Sequence, residues 1–146
     1  MEHPHINPLY ETKPVQYIFM SLGSTEGLSS PPLGYLKLDI NTGEKQRWYA
    51  PLHTYCEELI VIPKRNNDGD NDNDDGHGDG HGDNTDDEGD EDDVWLLGCM
   101  YDAVEERSVV GIFDGKDIAQ GPICRVWLKH HLPHSLHGCF TKELFI

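Results

Sequence analysis

Basic charge is scarce in this chain of 146 residues: 11 Lys and Arg stand against 27 Asp and Glu, a net charge of −16. The few basic residues do not cluster, which excludes a surface built to track nucleic-acid phosphates. No apolar run is long enough to span a bilayer, and no leader or transit segment is visible. An apolar repeat of 3.6 residues is absent over any useful length, so helices are not expected. Cysteine is sparse too. Cys56, Cys99, Cys124 and Cys139 show no Cys-x-x-Cys spacing, and Cys99 and Cys124 lie inside apolar, strand-like runs. They read as reduced, buried, small hydrophobes rather than disulfide partners, which points to a reducing compartment.

What is present is strand signal. The run from Val15 to Gly23 is rich in β-branched and aromatic residues. Leu33–Ile40 and Glu44–Tyr49 flank Asn41-Thr42-Gly43 and read as a hairpin. Leu59–Pro63 is a short apolar strand, Val94–Tyr101 and Ser108–Phe113 read as a second hairpin, and Ile123–Leu128 as a last strand. The class is all-β, and strands at intervals of about ten residues suit a propeller or a sandwich.

The negative charge is gathered in one place. Residues 66–93 hold fourteen acidic residues and no Lys or Arg, while the rest of the chain carries 11 basic and 13 acidic residues, a balance of −2. This Asp, Asn, Gly and His stretch has no apolar residue with which to offset ordering entropy, so a disordered loop between two strands is expected. Asn71-Asp72-Asn73-Asp74-Asp75-Gly76 imitates the start of a calcium loop, but Gly82 stands where a bidentate Glu is needed. His77 and His81 would add only loose transition-metal affinity.

Near the C-terminus, the strand-like run ending in Trp127 and Leu128 feeds His130-His131-Leu132-Pro133-His134-Ser135-Leu136-His137-Gly138. Gly138 would let backbone pass close to whatever His137 faces, and a neutral imidazole is a common metal ligand. A turn histidine without a ligand is the plainer alternative. His134 and His137 are three apart, yet no Cys or acidic partner has zinc-site spacing.

Five stretches, in order, carry a resemblance: Glu2-His3-Pro4-His5-Ile6-Asn7; Pro32–Asp39 with Thr42-Gly43-Glu44 and Trp48; Glu57–Lys64; the pair Asp92–Asp102 and Arg107–Asp114; and the Leu136-His137-Gly138 turn. Together they resemble the carotenoid cleavage oxygenase (retinal pigment epithelium membrane protein-like) family. The resemblance spans nearly the whole chain except residues 66–93. It implies the C-terminal blades of a seven-bladed β-propeller about three times longer, with residues 1–146 forming a C-terminal part of that domain and 66–93 an insert within it.

The resemblance also implies a site. The family holds iron(II), Fe(2+), on the propeller axis by four histidines backed by glutamates. His137 matches the last of those ligands. Glu58 and Glu2 match backing glutamates, Glu58 being preferred to Glu57 by gap-free counting from Pro63. His130, His131 and His134 match no ligand, and His3, His5 and His53 read as surface or packing residues. Leu59 replaces the family's proline, Cys56 and Glu57 its glycines, and Cys139 a threonine.

The implied reaction is oxidative cleavage of a conjugated C=C bond of a carotenoid or apocarotenoid by O2, giving two carbonyl products. The implied partners are an apolar polyene and O2, with no nucleic acid. Peripheral membrane contact would come from parts of the fold outside this stretch. The cysteine usage suits an intracellular setting, cytoplasm or plastid. The isolated chain is expected to be inactive. A non-catalytic propeller piece serving as an interaction module, and an acidic divalent-cation binder, are the alternatives.

Overall fold

The computed structural model describes residues 2–23, 30–64, 90–134, 137–141 and 143; the Glu2 side chain is not among the described atoms. Among the described residues, eight strands form two four-stranded antiparallel sheets, each in simple sequence order. The first holds β1 (Glu2–His5), β2 (Tyr17–Leu22), β3 (Gly34–Asp39) and β4 (Lys45–Tyr49). The second holds β5 (Thr54–Pro63), β6 (Val94–Asp102), β7 (Arg107–Asp114) and β8 (Cys124–Trp127). Short 3₁₀ turns lie at Pro8–Tyr10 and Ile118–Gln120. Among the described residues no helix is long and apolar enough to cross a membrane.

Alternation sets which faces meet. Phe19 and Tyr35 of the first sheet pack with Cys56, Leu59, Val61, Val94, Leu96, Met100, Val109 and Phe113 of the second. Tyr35 stacks on Trp48 at 5.8 Å and meets Phe113 edge-on at 5.3 Å. Its hydroxyl donates to the Cys99 carbonyl at 3.4 Å. Gly98 makes this seating possible: a Cβ there would lie 2.7 Å from Tyr35 Cε2, well inside contact distance.

The acidic segment expected over 66–93 ends in folded structure. Residues 65–89 lie outside the described residues, so the expected disordered loop is not addressed there. Asp90–Asp93, by contrast, join the two sheets. Buried Glu91 accepts from the backbone N–H groups of Gln16 (2.8 Å) and Tyr17 (2.9 Å), and its carbonyl accepts from Asn7 Nδ2 at 2.9 Å. Asp92 pairs with the buried Lys37, and Asp93 with Lys64 at 3.2 Å. Pro63 faces Val94 across the β5–β6 ladder, and Lys64 N–H donates to the Asp93 carbonyl at 3.1 Å. Within the stretch 66–93, Asp90–Asp93 are thus held against both sheets.

The cysteine expectation holds in part. All four are free; Cys56 is buried and Cys99 half-buried, but Cys124 and Cys139 are exposed. Cys124 was expected inside because its run is apolar. It sits on β8, the edge strand of the second sheet, all four residues of which are exposed.

Candidate metal centre

Two β-bulges prepare this region. On β5, Cys56 faces Met100 and Leu59 faces Gly98, so three steps on one strand match two on its partner. The extra residue falls at Glu57–Glu58. It shifts the alternation so that both Cys56 and Leu59 reach the core, and it frees two consecutive carboxylates to turn toward the C-terminal segment. On β1 the same mismatch lies between Glu2 and His5, where His3 adopts φ 52°, in the left-handed region that β-bulges and strained sites use. The strands meet: His5 Nε2 lies 3.9 Å from Glu58 Oε1.

Glu58, 6% exposed, makes two bonds with one carboxylate. Oε2 lies 2.7 Å from His137 Nδ1, and Oε1 accepts from the Gly138 N–H at 3.1 Å. A carboxylate only accepts, so Nδ1 of His137 carries a hydrogen, and in the neutral ring the lone pair is then at Nε2. This is the arrangement in which a carboxylate sets the tautomer of a metal-binding histidine and raises its basicity. Gly138 approaches Ile60, with a virtual Cβ 3.5 Å from Ile60 Cδ1. His3 meets the His137 ring edge-on at 5.7 Å, and its own Nδ1 is buried without a hydrogen-bond partner. His137 itself is 69% exposed.

The sequence-derived residues thus divide. His137 and Glu58 are brought together. The Glu2 backbone stands in β1 opposite Ser21, but its side chain lies outside the described atoms. The chemistry of His137, one free imidazole nitrogen oriented by a buried carboxylate, fits one position of a histidine-held transition metal. Among the described residues no three His, Cys, Asp or Glu side chains converge as a complete metal-holding set.

Sequence reasoning missed a second pair. His134 Nδ1 is hydrogen-bonded to Glu57 Oε1, and the His134 ring lies edge-on to Tyr101 at 6.0 Å. His131 lies on the same tyrosine at 4.6 Å. No local pattern carries this pairing, in which adjacent Glu57 and Glu58 answer His134 and His137. Only the bulge makes that correspondence physical.

Comparison with known proteins follows the same lines. The profile of a family described as retinal pigment epithelial membrane protein matches residues 1–142. The chain is 30% identical over 142 residues to the apocarotenoid-15,15'-oxygenase of Synechocystis sp., covering 97% of this chain and 24% of that protein. A solved mutant of the Synechocystis apocarotenoid oxygenase superposes with a TM-score of 0.74 at 27% identity, over 97% of this chain and 25% of that one. The cobalt-substituted Synechocystis enzyme superposes with a TM-score of 0.71 at 28% identity, over 93% of this chain and 24% of that one. The chain therefore spans about a quarter of the length of these relatives. Their structures are β-propellers, and each four-stranded sheet here is a blade of that fold.

Proposed function

The chain belongs to the retinal pigment epithelial membrane protein family of carotenoid oxygenases, and we propose that it supplies His137 as one metal ligand of a dioxygenase cleaving a conjugated C=C bond of an apocarotenoid or carotenoid. The observation that carries this reading is the Glu58 carboxylate, buried and bonded to both His137 Nδ1 and the Gly138 amide. It leaves Nε2 as the one nitrogen of that ring free to bind. In this reading the chain is the C-terminal part of the propeller domain, and the remaining ligands come from sequence outside it.

Iron(II), when bound, would supply the redox chemistry by which O2 splits the alkene, one oxygen atom going to each new carbonyl. The chain's own part is positional. Glu58 holds the hydrogen at Nδ1, so the neutral ring presents its lone pair at Nε2, and the adjacency of His137 and Gly138 ties the ring to β5 through a single side chain. Glu2, at the β1 bulge, is proposed to back a further ligand in the same way. The likeness to an apocarotenoid-15,15'-oxygenase supports an apolar polyene as the substrate class, with O2 as co-substrate.

The test is metal analysis and product chromatography on the complete protein. His137→Ala should remove bound iron and abolish cleavage of an apocarotenal. Full iron occupancy and turnover in that variant would overturn the assignment.

A further inference from the structure

Glu57 and His134 play no part in the reading above, yet they are built as carefully as the pair beside them. Glu57 is 12% exposed, so its carboxylate depends on a partner, and His134 is the partner the fold brings.

The segment after β8 is fastened at intervals. Ser108 takes the Leu128 N–H on its carbonyl at 3.0 Å and the Leu132 N–H on its hydroxyl at 2.9 Å. Next come the rings of His131 and His134 on Tyr101, then Glu57 on His134, then Glu58 on His137 and Gly138. A largely exposed ring held by one carboxylate frays readily. Fixing the chain three residues upstream removes most of that freedom, because the span left to order is short. The bulge delivers both carboxylates from consecutive positions, so the two fastenings share one rigid origin on β5.

We propose that Glu57 and His134 form a second clasp that positions His137, acting with Glu58 to hold its ring in the orientation a metal needs. The clasp rests on His137 being a ligand for its purpose, but not for its existence. Glu57 and His134 are positioning residues, since neither touches a reacting atom.

The experiment uses the complete protein as parent, Glu57→Ala, Glu57→Gln, His134→Ala and the double alanine variant. Two quantities are read: the tautomer of His137 by ¹⁵N-histidine NMR in the metal-free protein, and the iron dissociation constant by chelator competition. The parent should show His137 protonated at Nδ1. Each alanine variant should relax that preference and weaken iron binding about tenfold, as loss of an outer partner of a ligand does. The double variant should be no worse than the poorer single one, because the two residues act as one unit. Glu57→Gln, whose amide oxygen still accepts from His134, should recover most of the effect. An unchanged His137 tautomer in both alanine variants overturns the clasp, even if their melting temperatures fall. A tautomer that relaxes in the alanine variants of a parent that binds no iron upholds the clasp and overturns the metal reading instead.

Discussion

Glu58 shows how one buried side chain does the work of two. Replacing it with Ala strips the Gly138 amide and His137 Nδ1 of their acceptor together. Loss of a carboxylate that orients a ligand typically weakens metal binding 10–100-fold. The unpaired groups should lower stability by roughly 1–3 kcal/mol. Glu58→Ala in the complete protein should therefore show both a weaker iron dissociation constant and a lower denaturant midpoint. Unchanged iron affinity would separate Glu58 from the metal. The thiols differ as sharply. Burial pushes Cys56 up to about 12, whereas Cys124 and Cys139 are exposed. Since the thiolate is the reactive form, iodoacetamide at pH 8 should label Cys124 and Cys139 first and Cys56 only on unfolding, as peptide mass mapping would show. At this scale the sequence was informative for His137 and Glu58, because both sit in recognisable local contexts. It was silent on the role of His134, because Glu57 lies 77 residues away from it and no local pattern reports such a contact.

Strands were legible wherever apolar residues ran together. Leu59–Pro63 was seen, but β5 begins at Thr54, where Tyr, Cys and two glutamates hide the alternation. Likewise β1 was met as a motif and not as a strand, since Glu-His-Pro-His has no strand propensity and is held by pairing with β2. The bulges were invisible for a related reason: a one-residue slip is defined by the partner strand, which the local sequence does not specify. The middle of β6 carries a sharper prediction. Gly98→Ala drives a methyl group into the Tyr35 ring, whose position is set by Trp48 and Phe113. It should destabilise by about 2–3 kcal/mol in urea unfolding. Gly111→Ala meets first the terminal methyl of Met100, which can swing aside, and should be milder, at about 1 kcal/mol. Equal effects at both positions would contradict this packing.

For the molecule as a whole, the acidic segment is the part whose limits matter. Removing residues 66–89 should shift the melting temperature by only a few degrees, because its flanks are already paired across β5 and β6 and closure entropy varies slowly with loop length. Extending the deletion through Asp93 removes the acceptors for the Gln16 and Tyr17 amides and the partner of buried Lys37. That protein should lose cooperative unfolding, which calorimetry would show. Acid should act through Asp114. Burial pushes its carboxyl up, but the Lys116 amide and Lys64 outweigh this and hold it below its ordinary range. A lowered folded value means its contribution is full above the usual carboxylate range near 4 and fades as pH falls through that lowered value. The melting temperature of Asp114→Asn should therefore lie below that of the parent at pH 7 and converge on it as pH falls through that lowered value.

By itself the sequence determined the all-β class, the two hairpins, the family and the candidacy of His137 and Glu58. The class, the hairpins and the two candidates rest on local alternation, turn residues and short motifs, each written within a few residues, and the family rests on the order of five such motifs along the chain. The tertiary structure decided what depends on partners distant along the chain. It turned Glu91 from one more acid in a charged run into the acceptor that joins two sheets. It put Cys124 on an edge strand despite its apolar neighbours. It also set Glu57 against His134, because a bulge turns consecutive side chains toward one segment only when the strand beside it and the segment beyond it are both in place.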